Sequence, residues 1–254
     1  MTTAADPLPA VRLEKVGVRF QLPAERIVSF KEYVLRRLSG RIGHRELWAL
    51  RELDLDVHTG ETLGVIGRNG AGKSTLLKVI SRVLRPTSGR VVVRGRTAPL
   101  LELGAGFHFD LTGRENVFLN ATLFGYSRDL VARNLDAIVA FAELEDFIDL
   151  PIRNYSNGML ARLGFAVATQ FRPDILILDE ILAVGDTGFQ EKCLDRIERF
   201  RDQGTSILLV SHDLDRVAES CERVAWIEHG RLVALGPPAE ILDRYRRGFA
   251  AAAS

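Results

Sequence analysis

The chain has 254 residues, enough for one large α/β domain. Hydrophobic residues make up 46% and charged residues 26%, which is ordinary globular usage, and 34 Lys plus Arg against 33 Asp plus Glu leave no basic field to argue for a nucleic-acid partner. Cys193 and Cys221 read as free thiols rather than a disulfide framework, Met1–Ala10 lacks the apolar run of a signal peptide, and no stretch approaches the roughly 20 apolar residues that span a bilayer.

In chain order, Val11–Phe20 alternates apolar and polar residues and predicts a strand. Glu25–Leu38 carries Ile27, Phe30, Val34 and Leu38 at helical spacing, with Lys31, Arg36 and Arg37 off that stripe, and Ser39–Arg45 reads as a basic, Gly-containing loop. Leu50–Val57 and Leu63–Ile66 predict strands, the second running into a Gly-rich turn and a helix over Lys73–Val83. A turn at Pro86–Gly89 precedes a strand at Val91–Val93. Leu111–Gln170 reads as mostly helical, with breaks near Gly125 and at Pro151–Asn154.

Ile175–Leu178 is a continuous apolar run, the pattern of a strand buried on both faces. Helix Phe189–Phe200, strand Ser206–Val210, helix Leu214–Ser220, strand Arg223–Glu228, strand Leu232–Leu235 and helix Pro238–Arg247 complete the series, with no internal repeat. Alternating strands and helices predict an α/β fold: a mostly parallel sheet covered by helices, with an N-terminal antiparallel β lobe and an inserted helical lobe. The expected divisions are about 10–62 for the β lobe, about 63–105 and 172–236 for the core, about 106–171 for the helical lobe and about 237–250 for the last helix, all in one domain.

Gly67-Arg68-Asn69-Gly70-Ala71-Gly72-Lys73-Ser74 fits G-x-x-x-x-G-K-[ST] at each fixed position, between a strand and a helix. In such a P-loop the glycines let backbone N–H groups turn toward phosphate, and the following helix adds the positive end of its dipole. Lys73 would neutralise β- and γ-phosphate charge, Ser74 would hold Mg²⁺, and Thr75 would reach the α-phosphate. A chance Gly-rich turn does not account for the strand–turn–helix context. The motif alone leaves nucleoside triphosphatase and kinase open.

Four apolar residues at Ile175–Leu178 end in Asp179 and Glu180. Asp179 would stand near the metal and Glu180 would be the general base for a water in line with the γ-phosphate; the bland alternative is a buried strand ending in two solvated acids. Ser156, in Tyr155-Ser156-Asn157-Gly158-Met159, is well placed to cap the helix that follows.

At this point the sequence resembles the ATP-binding-cassette family, whose signature is usually Leu-Ser-Gly-Gly-Gln. Ser156 and Gly158 match it, while Tyr155, Asn157 and Met159 depart. Ser211-His212-Asp213 matches the family's switch histidine at His212, and Ala183-Val184-Gly185-Asp186 matches its D-loop, with Asp186 as the acid. Phe20 lies where the family stacks an aromatic on adenine, though a strand-end Phe also suits a core. The Q-loop glutamine is not evident; its place falls near Glu102, which would substitute on the metal side. The motifs agree in order over roughly 11–240. The resemblance implies a RecA-like P-loop ATPase that binds ATP and Mg²⁺ and works as a pair, the P-loop of one copy facing the Ser156 turn of the other.

Further residues resemble the polysaccharide-exporter branch: Phe30–Val34 in the N-terminal insertion, Leu101–His108, Leu111–Asn116 and Tyr155–Met159. That branch implies a lipid-linked glycan (O-antigen, capsule, teichoic acid or cell-wall galactan) exported through a separate transmembrane permease, with the ATPase on the cytoplasmic face of the bacterial inner membrane. With its end at Ser254, the chain is expected to lack the carbohydrate-binding domain of some members, leaving cargo choice to the permease. For Glu25–Arg45 two readings stand: a helix docking on the membrane partner with Arg36, Arg37, Arg41 and Arg45 near head groups, or an apolar cover on the β lobe. The rivals are a cassette ATPase for another cargo, importers included, and a soluble P-loop ATPase or kinase outside transport.

Overall fold

The computed structural model describes residues 8–23, 44–100, 104, 106–179 and 185–252. Strands β1 (Val11–Pro23), β2 (His44–Val57) and β4 (Ser88–Val93) form an antiparallel sheet in the order β2-β1-β4. Burial of Val11 and Leu13 follows a period of two, but the next buried residues are Val16 and Val18, one position out of phase. A bulge at Lys15, whose φ is 47°, absorbs the slip, and Glu52 with φ 44° does the same on β2 between Leu50 and Leu53. All eight apolar side chains Val11, Leu13, Val16, Val18, Leu50, Leu53, Leu55 and Val57 therefore reach one core. The helix expected at Glu25–Leu38 lies outside the described residues. Strand β2 begins at His44, inside the span expected for the loop, and the rest of that span lies outside the described residues.

The second sheet has the order β5-β6-β7-β3-β8-β9, with β3 Thr62–Ile66, β5 Thr97–Leu100, β6 Ile175–Asp179, β7 Ser206–Val210, β8 Arg223–Glu228 and β9 Arg231–Gly236. All pairings are parallel except β8 with β9. Strands β3 and β7 are buried along their whole length, and apart from Thr62, Gly64 and Ser206 they consist of apolar residues. Strand β5 is a finding that periodicity missed. Pro99 argues against a strand, yet β5 is an edge strand hydrogen-bonded on one side only, where a missing N–H is tolerated. Strand β4 falls within the span expected for the core but pairs with β1.

The helices are α1 (Lys73–Ile80), α2 (Gly113–Leu123), α3 (Arg128–Ala142), α4 (Asn157–Thr169), α5 (Thr187–Asp202), α6 (Leu214–Ser220) and α7 (Pro238–Ala252). Helices α2, α3 and α4 form a lobe around Val117, Val131, Ile138, Leu163 and Val167. The expected breaks are there: Gly125 has φ 84°, and Pro151 leads into a 3₁₀ turn over Ile152–Asn154. Helix α2 opens with a full capping box, Thr112 accepting from the Glu115 N–H and Glu115 accepting from the Thr112 N–H at 2.8 Å. Among the described residues no helix is long and apolar enough to cross a membrane.

Candidate functional site

The strand order sets β3 between β7 and β8, with β6 beyond β7, so the C-terminal ends of β3, β6 and β7 lie side by side. Ligands of open parallel sheets bind outside those ends. Here the three strand ends deliver the P-loop, Asp179 and the Ser211–Asp213 turn.

The loop is held by what surrounds it. Gly67 has φ 152°, and a Cβ there would stand 2.2 Å from the Ile227 carbonyl oxygen; Gly72 has φ 111°, and its Cβ would meet the Ala49 carbonyl oxygen at 2.5 Å. Only glycine fits either approach. The Ala71 N–H donates to the Arg68 carbonyl, and the Gly230 N–H donates to the Ala71 carbonyl, fixing the crown to the β8–β9 turn. Lys73, though charged, is buried, and its Nζ donates to the carbonyls of Gly67 at 2.7 Å and Arg68 at 3.2 Å. Helices α2 to α6 each start on a capping side chain: Thr112, Ser127, Ser156, Asp186 and Asp213. Helix α1 starts on Gly72 with no side-chain cap and no acid in its first turn. Its first N–H groups open onto the cleft with no capping side chain from their own helix.

The cleft has a volume of about 360 Å³ and brings together Asn69, Gly70, Gly72, Lys73, Ser74, Thr75, Asp179 and His212, closed on one side by Leu47, Trp48 and Ala49. Ala71 is buried beneath the crown. Gly67 and His212 also line a second cavity of about 370 Å³ that reaches Tyr245 and Arg246 on α7.

Four expected participants lie elsewhere. Phe20 pairs with Leu47 across β1 and β2, is 38% exposed and does not line the cleft. The aromatic wall is Trp48, which packs on Gly17 and has the Arg19 guanidinium 5.6 Å from its ring centroid. The signal for it was the tryptophan in the apolar run Leu47–Leu50 ahead of the P-loop. Asp186 is turned toward its own chain: one oxygen accepts from the Phe189 N–H at 3.0 Å and the other from Arg162. Those donors, the Phe189 N–H first, hold its carboxyl below the usual carboxylate range. Ser156 is exposed and, with Gly158, stands apart from the cleft; its hydroxyl accepts from the Met159 N–H at 3.2 Å. The turn rests on buried Tyr155, whose hydroxyl donates to the Phe147 carbonyl at 2.7 Å. Glu180 and Glu102 lie outside the described residues.

A parallel sheet whose strand ends gather a P-loop, an acid and a histidine defines a P-loop nucleoside triphosphatase that binds nucleotide. Residues 50–183 match the ABC transporter family. The chain is 50% identical over 206 residues to the O-antigen export system ATP-binding protein RfbB of Klebsiella pneumoniae, covering 81% of this chain and 84% of that protein. It is 42% identical over 201 residues to the teichoic acids export ATP-binding protein TagH of Listeria monocytogenes, covering 79% of this chain and 60% of that one. Among solved structures it is similar to a dimeric post-hydrolysis state of the ATP-binding cassette MJ0796 bound to ADP and Pi, with TM-score 0.69, 21% identity and coverage of 90% and 98%. The chain belongs to the ABC transporter family and is an ATPase of that type.

Proposed function

We propose that this chain is the ATPase subunit of an exporter, and that two copies close on two ATP molecules to drive a lipid-linked polysaccharide through a separate membrane subunit. The observation that carries the reading is the convergence of Lys73, Ser74, Thr75, Asp179 and His212 on one cleft, in a chain half identical to an O-antigen export ATP-binding protein. The kinship to a teichoic acid export protein supports a lipid-linked glycan as the cargo class. The chain works at the cytoplasmic face of the bacterial membrane, held there by the membrane subunit.

In this reading the amides of Gly67–Thr75 and the start of α1 bind the polyphosphate, and Lys73 neutralises its β- and γ-oxygens. The base stacks on Trp48. Among the described residues no three His, Cys, Asp or Glu side chains gather as a self-contained metal site. Mg²⁺ needs none, because it takes one or two protein oxygens and completes its shell with phosphate and water. The Ser74 hydroxyl and the Asp179 carboxylate, both on the cleft, fit that demand, and Glu102 is a further candidate. Bound there, the ion would neutralise charge on the phosphate oxygens. Glu180 takes the proton of the attacking water, and His212 contacts the γ-phosphate.

Each chain has one P-loop and one Ser156 turn, and within a chain the two do not share the cleft. The γ-phosphate is therefore closed over by Ser156, Gly158 and the α4 N-terminus of the second copy. Donors of that preorganised kind are worth roughly 10²–10³ in rate.

The test is Glu180→Gln in the chain purified with its membrane subunit. ATP binding is expected to persist while phosphate release falls by at least ~10²-fold. Full-rate hydrolysis would remove Glu180 from the base role, and failure to recover any membrane protein with the chain would remove the exporter.

A further inference from the structure

We infer that Gly230, in the β8–β9 turn, is a positioning residue for nucleotide binding: it sets where the Trp48 wall stands relative to the P-loop. This role rests on the stacking of the base on Trp48 proposed above. A nucleotide bound that way is held at its two ends by two different sheets. Its phosphates lie on the loop that follows β3 of the parallel sheet, and its base lies on β2 of the antiparallel one. A contact that holds the two at one spacing before the ligand arrives spares the ligand the cost of ordering them.

The β8–β9 turn has the placement for such a contact. Glu228 pairs with Arg231, so His229 and Gly230 make the whole loop, and their φ values of 48° and 76° are those of a type I′ hairpin turn. A turn of this kind leaves the amide and carbonyl of its second residue outside the hairpin ladder. Here both are used, toward different elements. The Gly230 N–H donates to the Ala71 carbonyl of the P-loop at 2.8 Å, and the Gly230 carbonyl accepts from the Arg51 N–H of β2 at 2.8 Å. Gly230 is buried, whereas His229 beside it is exposed. The tip of this hairpin is wedged between the two halves of the nucleotide site.

The wedge fits β2 without a gap. A Cβ on Gly230 would stand 2.6 Å from the Ala49 carbonyl oxygen and 3.0 Å from both the Ala49 carbonyl carbon and the Leu50 Cα. Those three nearest atoms all belong to β2. The same Ala49 oxygen is the nearest atom to a Cβ placed on Gly72, at 2.5 Å. The carbonyl that follows Trp48 is therefore gripped between the start of α1 and the hairpin tip. Turn geometry alone asks for a positive φ, which Asn also supplies; the contact with β2 asks for the missing side chain. Trp48 and Ala49 line the cleft together, so a shift of Ala49 is a shift of the wall.

The test sets ATP against inorganic tripolyphosphate, which can occupy the P-loop but has no base to stack, each displacing a fluorescent nucleotide from the purified chain. The wild type is expected to prefer ATP by about tenfold, the worth of one base stack. In Gly230→Ala that preference is expected to vanish with tripolyphosphate affinity unchanged, because the added methyl presses on β2. Arg51→Pro deletes the donor on the β2 side, at an edge strand that tolerates proline, and is expected to lose the same preference without crowding Ala49. Gly204→Ala is the control: its φ of 82° brings the same backbone strain, but a Cβ there meets nothing within 4 Å. It should lower the melting temperature as Gly230→Ala does and keep the preference. On a Trp48→Ala background, Gly230→Ala is expected to weaken ATP binding no further. A preference kept in Gly230→Ala or in Arg51→Pro, equal losses for the two ligands, a preference lost in Gly204→Ala, or a further loss on the Trp48→Ala background would each overturn the positioning role and leave the ATPase reading intact. A wild type without the preference would remove the Trp48 stack and this role with it, and one that bound neither ligand would remove the nucleotide site itself.

Discussion

The P-loop and the Ser156 turn both open a helix, and they are built in opposite ways. Helix α1 starts on a glycine with no capping side chain, and its loop is pressed against the carbonyls of Ile227 and Ala49. Helix α4 starts on a serine whose hydroxyl already satisfies the Met159 N–H, in a turn that is exposed and anchored through Tyr155 beneath it. A loop whose ligand sits inside its own chain is fixed by that chain's backbone. A turn that serves a second copy, the role proposed for Ser156, would be left on the surface and stiffened from behind, as this one is.

Three substitutions probe that contrast. Lys73→Ala strikes the P-loop alone: it removes the ammonium and the donors to the Gly67 and Arg68 carbonyls, so loop shape and phosphate charge balance fail together. ATP affinity is expected to fall by at least ~10²-fold, read by titration with a fluorescent nucleotide, because a charge-assisted bond is worth about 1.5–3 kcal/mol and this side chain makes more than one. Wild-type affinity in that variant would deny the loop its grip.

Ser156→Asp strikes the other side. Aspartate caps α4 as well as serine, so the melting temperature should hold, but it sets a negative charge where the second copy's γ-phosphate is to sit. Binding to a single copy should be unchanged, while ATP-driven dimerisation is lost and turnover falls by ~10²-fold. Dimerisation as in the wild type would reduce the turn to a cap.

The smallest effect is expected at the wall of the cleft. Trp48→Ala should weaken ATP binding by about tenfold, as expected for one base stack, with Trp48→Phe recovering most of it and Phe20→Ala changing nothing. Loss of affinity on Phe20→Ala instead would return the stacking role to β1.

What the sequence made legible follows the same divide. The P-loop, Asp179 and His212 could be read because the chemistry dictates residue types at fixed spacing and buried strands announce themselves as apolar runs. Trp48 could not, because the cleft wall exists only once β2 folds across the start of α1, and in sequence a tryptophan in an apolar run is core as readily as platform. Strand β5 was hidden by Pro99, whose meaning depends on being at a sheet edge. The membership of β4 in the antiparallel sheet was hidden because its pairing with β1 reaches across β2, β3, the P-loop and the whole of α1. Asp186 was recognisable as an acid in the right order, but its attachment to Arg162 depends on the start of α5 meeting the middle of α4, which no local pattern encodes.

The paired bulges at Lys15 and Glu52 set limits on how this chain can vary. Each resets the phase of its strand by one residue, and a one-residue slip in a β ladder sends each later side chain to the opposite face. Trp48 lies on β2 ahead of Glu52 and across a further register shift from Leu50, so its orientation is counted from both irregularities. Excising Glu52 would leave every motif of the nucleotide site spelled correctly and still rotate the tryptophan away from it. Sequence comparison scored on motifs would pass such a variant as intact.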